Sequence, residues 1–319
     1  MAPETDAEVR RPLISAAELA RSLRDPSLLI VDVRWYLGKP GAGREAYLAG
    51  HLPGATFVDL DDDLADLDGY GAPGRHPLPS PSKFTARMAR IGIGDESKVV
   101  AYDDVGGWVA ARLWWMLDNL GFGSVRVLDG GIGAWTTAGH PLSTSEERRS
   151  PAPLHLVDRW TGVIDRDTLR TKLGSVVLLD ARAGARYRGE IEPIDPVAGH
   201  IPTAISAPFD ANLGPDGTFL PAAELRARFE ALGATGEAGA PREAGVAGAA
   251  GGSGTGGAGG NQSSEVVTSC GSGTSAAHHS LAMRLAGLPD PLLYVGSYSD
   301  WSRSGYPIAT GPEPGSPPE

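Results

Sequence analysis

The sequence predicts an α/β protein of two tandem domains, each a mainly parallel sheet flanked by helices. Three observations carry that expectation. The chain repeats itself: "LLIVDVR" (28–34), "AGHLPGA" (49–55), "KVVAYDD" (98–104) and "LDGGIGAW" (128–135) are answered in the same order by "VVLLDAR" (176–182), "AGHIPTA" (198–204), "EVVTSCG" (265–271) and "YVGSYSDW" (294–301). Within each copy, short β-branched or leucine-rich runs alternate with helical patterns, which implies parallel strands joined by crossover helices. The length of 319 residues suits two domains of about 100 to 200 residues each.

Each element has its own signal. Strands are expected near 28–33, 98–102 and 125–128 in the first copy, and near 176–180, 265–269 and 291–295 in the second. Helical patterns cover 15–23, 80–92 and 107–121, then 165–173, 221–233 and 275–288, with Ser15 and Asp165 placed to cap the first helix of each copy. Asp32 maps to Asp180 at an offset of 148 and His51 to His200 at 149, whereas Val99 to Val266 needs 167 and Trp135 to Trp301 needs 166. About 18 residues are therefore added between the second and third blocks of the later copy. The Gly/Ala/Ser-rich tract 233–264 has no apolar period and reads as a flexible insert. The boundaries that follow are a first domain over 1–145, a charged, proline-containing linker over 146–160, a second domain over 161–312 and a disordered tail over 313–319.

Composition narrows the function. Net charge is −11, with 28 basic against 39 acidic residues, which repels phosphate backbones and anionic lipid. The start "MAPETDAEVRRPLIS" has no basic stretch followed by an apolar core, and the chain has no run of about 18 apolar residues. A cytosolic protein is expected, binding neither nucleic acid nor membrane. The single cysteine, Cys270, leaves no internal disulfide and no multi-thiolate zinc site, so the thiol is a core residue or a reagent.

The stretch "TSCGSGTSAAHH" (268–279) favours the reagent. Cys270 follows a strand and Ser275 opens a helix, so GSGT is a strand-to-helix turn at the carboxyl end of a parallel sheet, where open α/β folds place ligands. Gly271 and Gly273 permit positive φ and close backbone approach, so that successive N–H groups curl into an anion cradle. A thiolate at such a helix N-terminus is stabilised, and cysteine pKa values there fall from about 8.5 to between ~3.5 and 7.5. Asp103 aligns with Cys270, so the first copy lacks a nucleophile and is expected to supply a wall of the cleft.

These residues resemble the rhodanese superfamily, and within it the two-domain sulfurtransferases that act on thiosulfate or 3-mercaptopyruvate. The carriers are the paired D-x-R strand ends (Asp32/Arg34, Asp180/Arg182), the turns "GHLPGA" and "GHIPTA", the loop "CGSGTSA", and "LDGGIGAW" with "YVGSYSDWSRSGYPIATG". The resemblance spans about residues 13 to 312. It implies two rhodanese-like domains and a Cys270 persulfide formed by attack on the sulfane sulfur of an anionic donor. That sulfur would pass to cyanide, a small thiol or a thioredoxin-like acceptor, with no metal or organic cofactor. The amides of Gly271, Ser272, Gly273, Thr274 and Ser275 would hold the negative charge. Arg188 matches the family arginine that binds the donor's anionic group, with Arg186 as a nearby substitute. By the same resemblance Ser272 pairs with His76 and Asp61 of the first domain to polarise a carbonyl or relay a proton.

The donor stays open at this level. The Gly-Ser-Gly after the cysteine is the mercaptopyruvate pattern, yet "EIEPIDPVAGH" (190–200) lacks the second arginine usual in that type. Two other functions remain. A cysteine phosphatase or arsenate reductase uses a similar cradle but closes it with an arginine where this chain has Ala276. A catalytically silent scaffold or redox sensor would keep the domain pair for partner binding. Among the remaining candidates, His51 and His200 recur in both copies and read as shared turn residues, while His278 and His279 read as packing or solvent-facing. Trp35 and Trp108 are candidates to line the cleft. The stretch "GGSGTGGAGG" lacks the Lys-Ser/Thr end of a phosphate loop.

Overall fold

The computed structural model describes residues 11–66, 74–236 and 264–318. The first domain runs β1 (Leu13–Ile14), α1 (Ala16–Ser22), β2 (Leu28–Asp32), α2 (Ala42–Ala49), β3 (Ala55–Phe57), α3 (Pro81–Arg90), β4 (Lys98–Tyr102), α4 (Trp108–Asn119), β5 (Val125–Leu128) and α5 (Gly131–Thr137). The second runs β6 (Val163–Ile164), α6 (Arg166–Lys172), β7 (Val177–Asp180), α7 (Gly184–Tyr187), β8 (Ile205–Ser206), a 3-10 turn (Phe209–Asn212), α8 (Ala222–Ala231), β9 (Val266–Ser269), α9 (Thr274–Leu285), β10 (Leu292–Tyr294) and α10 (Ser297–Trp301). The two five-stranded sheets have matching orders, β1-β5-β4-β2-β3 and β6-β10-β9-β7-β8, and every pairing is parallel. β4 and β9 are the central strands, so Asp103 and Cys270 leave the middle of each sheet at its carboxyl end.

All twelve expected strands and helices form, each within three residues of its expected ends. Ser15 caps α1 through a capping box with Glu18, and the Asp165 carboxylate accepts from the Thr168 amide at 2.9 Å. The edge strands β1, β3, β6 and β8 have two or three residues each. That is too short for an alternating pattern to register in sequence.

The net offset of about 18 residues resolves into two opposed differences. The connection from helix to central strand is 7 residues in the first copy (91–97) and 34 in the second (232–265), whereas the preceding connection is 23 residues (58–80) against 15 (207–221). The longer first-copy connection carries Asp61, Arg75 and His76. Most of the 233–264 tract lies outside the described residues, but its ends belong to the fold: Ala234 is buried, and the Thr235 amide donates to Ser264 Oγ at 3.0 Å. The expected disordered tail is corrected for 313–318. His200 Nε2 lies 3.1 Å from the Glu313 carbonyl, the Thr203 amide donates to the Pro314 carbonyl at 2.6 Å, and Pro317 packs over Gly174.

The repeated motifs are structural. In each copy the Arg of D-x-R forks onto the Asp two residues before it and donates onward to the turn glycine, Arg34 to the Gly50 carbonyl and Arg182 to that of Gly199, both at 2.8 Å. His51 and His200 stack on Tyr47 and Tyr187 and bond to those residues' carbonyls, which bears out the shared turn role. One apolar core covers the outer face of each sheet, and a third is continuous across both domains, with α4 and α9 at its centre. Both helices are buried nearly all round.

His278 and His279 on α9 are fully buried, so the solvent-facing alternative fails. His278 stacks on Phe219 and reaches the Gly106 carbonyl at 3.1 Å, while His279 packs edge-on to Phe229 with neither ring nitrogen hydrogen-bonded among the described residues. Burial pushes His278 down to about 3 and His279 well below the ordinary 6.5. Between those values and 6.5 the unfolded chain binds more protons than the folded one, so stability rises with pH across that window. Below pH 6.5 each histidine removes up to about 1.4 kcal/mol per pH unit. Urea denaturation at pH 7 and 5 is expected to show the loss, and His279→Phe to reduce it.

Candidate active site

The turn after β9 is built around Cys270. Its sulfur accepts the amides of Gly273 at 3.1 Å and Ser272 at 3.4 Å, and the residue is only 2% exposed. The other expected amides, of Gly271, Thr274 and Ser275, make no hydrogen bond to the sulfur among the described residues. Gly273 caps α9 at φ +79°, and a Cβ there would stand 2.4 Å from the Val295 carbonyl oxygen, so two separate constraints select glycine. At Gly271 a Cβ would stand 2.7 Å from Arg75 Nη2 and 3.4 Å from Arg186 Nη1, the far ends of two side chains that reach over the turn.

The first copy fills its equivalent turn with Asp103. That carboxylate accepts four amides, from Val105, Gly107, Val109 and Ala110, at 2.8 to 3.0 Å. Burial pushes Asp103 upward while these donors oppose the shift. The same local geometry therefore aims backbone amides at an acceptor in both copies, a side-chain carboxyl in one and a sulfur in the other. Gly107 caps α4 four residues after Asp103, whereas Gly273 caps α9 three residues after Cys270. This accounts for the change in repeat offset from 167 to 166.

Three predicted residues come together across the domain boundary. His76 Nδ1 lies 2.7 Å from Ser272 Oγ, and His76 Nε2 lies 3.0 Å from Asp61 Oδ1. Trp35 steadies the arrangement, donating its indole N–H to Asp61 Oδ2 at 2.8 Å and packing edge-on to His76. Trp108 meets Trp35 on one side and Phe209 of the second domain on the other. Burial pushes His76 below its ordinary 6.5 against the pull of Asp61, and the hydrogen bonds from His76 and Trp35 hold Asp61 below the usual carboxylate range. A carboxylate held ionised only accepts, so Nε2 carries the proton. Nδ1 of the neutral ring then accepts from the Ser272 hydroxyl.

The two arginines part company. Arg188 caps α7 and forks onto Glu190 at the surface, 2.6 and 2.9 Å away, and takes no part in the loop. Arg186, two residues earlier, flanks Gly271 and is held by Glu192 and Asp195. Helical phase separates the pair, and the sequence alone does not place that phase in a helix of four residues.

Other residues escaped notice. Arg112 on α4 is fully buried and donates to the carbonyls of Gly273, His76 and Leu64 at 3.0 to 3.3 Å, with no carboxylate partner among the described residues. Burial pushes it down to about 10, and its charge interaction with Cys270 opposes the shift. Its signal was the one basic residue inside the apolar helix "WVAARLWWMLDN". Ser297 has φ +51° where the equivalent first-copy residue is Gly131 at +56°. Its Oγ accepts the Cys270 amide at 3.0 Å and lies 4.0 Å from the sulfur. A side chain in the left-handed region costs about 1 kcal/mol or more, so the hydroxyl is held there against backbone preference.

Two parallel-sheet domains thus close on a single cysteine at the mouth of a helix, with two backbone amides facing its sulfur. Residues 15–138 and 165–304 each match the rhodanese-like domain. The Pseudomonas aeruginosa protein named probable 3-mercaptopyruvate sulfurtransferase is 42% identical over 303 residues, 94% of this chain and 98% of that protein. The Mycobacterium tuberculosis putative thiosulfate sulfurtransferase SseB is 41% identical over 91% of this chain and 93% of its own length. The crystal structure of Escherichia coli SseA, a 3-mercaptopyruvate sulfurtransferase, superposes with a TM-score of 0.69 at 26% identity, covering 90% of this chain and 99% of that one. The chain belongs to the rhodanese family of sulfurtransferases. Among the described residues no helix is long and apolar enough to cross a membrane.

Proposed function

We propose that the protein moves sulfur from 3-mercaptopyruvate to a thiol or cyanide through a persulfide on Cys270, with thiosulfate as the poorer donor. The observation that carries this reading is the Ser272–His76–Asp61 relay beside the sulfur. Thiosulfate leaves as sulfite and needs no proton. Mercaptopyruvate brings a thiol proton and leaves as an enolate that needs one. In the proposed step the donor thiol gives its proton to Ser272 Oγ as the serine proton passes to His76 Nδ1, and Asp61 stabilises the imidazolium. Cys270 Sγ attacks the donor sulfur, the carbon–sulfur bond breaks, and its electron pair becomes the enolate. The relayed proton returns to the enolate carbon, giving pyruvate and an anionic persulfide over the Ser272 and Gly273 amides. A thiolate or cyanide acceptor then attacks the outer sulfur and restores Cys270.

His76→Ala is expected to lower kcat/KM for 3-mercaptopyruvate about 100-fold and for thiosulfate less than about 10-fold. Equal losses on both donors would overturn the relay. Because burial pushes His76 below 6.5, the ring stays neutral at pH 6.5 and the acid limb of mercaptopyruvate turnover is expected to fall below that pH. A phosphatase reading is disfavoured by Ala276, which is buried in the first turn of α9 where a loop-closing arginine would be needed. Turnover of p-nitrophenyl phosphate would reinstate it.

A further inference from the structure

We infer that Arg75, delivered by the first domain, is a donor-binding residue: with Arg186 it forms a two-guanidinium fork over Gly271 that takes the carboxylate or sulfonate of the sulfur donor. The position is built, not incidental. The Arg75 amide donates to Ser299 Oγ at 3.0 Å, and Gly74 lies against Gly296, where a Cβ would be 2.7 Å from the carbonyl oxygen. Residues 74 and 75 are thus seated on the start of α10 of the second domain, and the side chain of Arg75 is about four-fifths buried.

The hydrogen-bond assignment shows which nitrogens remain. Asp195, with no exposed side-chain surface, pairs with Arg75 Nη1 and lies 3.1 Å from Arg186 Nη2 and 3.5 Å from Arg303 Nη1. Glu192 takes Arg186 Nε and Nη2 at 3.2 and 2.7 Å. Arg75 Nη2 and Arg186 Nη1 have no partner among the described residues, and they stand 2.7 and 3.4 Å from the place a Cβ of residue 271 would take. Arg75 Nε is buried and unpartnered as well. Around this point Arg75, Arg182, Arg186 and Arg303 face Asp180, Glu192 and Asp195, an excess of one positive charge. An oxyanion placed there completes two charge-assisted hydrogen bonds in a largely desolvated site.

Three contacts then fit one small donor: the fork for its anionic end, Cys270 for its sulfur and Ser272 for the proton between. The second domain's 189–199 segment has no arginine, and the first domain supplies the second guanidinium in its place, one residue before His76.

The inference rests on the sulfurtransferase reading, so its test includes a measurement in which no sulfur moves. Iodoacetate carries the carboxylate that the fork would hold, and iodoacetamide is its neutral counterpart. In the full-length protein, the ratio of their alkylation rates at Cys270 is expected to exceed that of a free thiol. Arg75→Ala should lower it about 10- to 100-fold, with Arg75→Lys between. With 3-mercaptopyruvate, Arg75→Ala is expected to raise KM by a similar factor and leave kcat within about threefold. Arg186 and Arg303 still neutralise Asp195 in these variants. A thermal melt checks folding, and Arg75→Gln repeats the measurement should the alanine variant fail to fold. An unchanged alkylation ratio in a folded Arg75 variant would overturn the assignment, whatever the turnover assays give.

Discussion

Cys270→Ser is expected to leave a folded protein that gains no sulfur on incubation with 3-mercaptopyruvate or thiosulfate and turns over neither. The substitution is nearly isosteric. The Ser272 and Gly273 amides keep an acceptor in front of them, and the amide of residue 270 keeps its bond to Ser297 Oγ, so stability should change by less than about 1 kcal/mol. The chemistry does not survive, because a hydroxyl is far less ionised than a thiol at neutral pH and forms no persulfide. With this the chain's sole thiol, no neighbour substitutes, and turnover should fall at least about 1,000-fold. Intact-mass spectrometry after donor exposure checks the first outcome and cyanide-coupled turnover the second. Sulfur retained by the serine variant would remove Cys270 from the mechanism.

Arg112→Met is expected to damage stability and loading together. Methionine fills much of the volume but leaves three buried carbonyls, of Gly273, His76 and Leu64, without the donor they share, a cost of about 3 kcal/mol. Gly273 is also the residue whose amide faces the sulfur. Losing both that tether and a buried positive charge should slow persulfide loading at pH 7 about tenfold, the equivalent of roughly 1.4 kcal/mol. Arg112→Lys keeps the charge but cannot span three carbonyls, so it should restore more loading than stability. Urea denaturation and the rate of mass gain separate the two effects. If the methionine variant loads at the wild-type rate, Arg112 is a strut alone.

Legibility followed the range of the interactions. The strands, the helices and the cysteine turn were readable because each rests on local chemistry: apolar period, Ser15 and Asp165 as caps, glycines at 271 and 273. The Ser272–His76–Asp61 relay was legible only through resemblance, since Ser272 lies 196 residues from His76 and no spacing rule connects them. Arg186 and Arg188 were both visible, but choosing between them needs the direction of a side chain. Ser297 could be singled out only after aligning it with Gly131, whose backbone conformation it shares.

By itself the sequence determined a duplicated α/β chain with one thiol at the mouth of one helix and a carboxylate at the matching place in its sister. Hydrophobic period, glycine conformation and capping act over a few residues and are written in the order of the chain. Which groups surround that thiol was decided only when the two domains closed along α4 and α9. That closure brings His76, Arg75 and Arg112 of the first domain to the loop of the second. Burial across the closed face then sets which of them are charged and which hydrogen bonds remain to be made, because desolvation depends on the packed surroundings and not on neighbours in sequence.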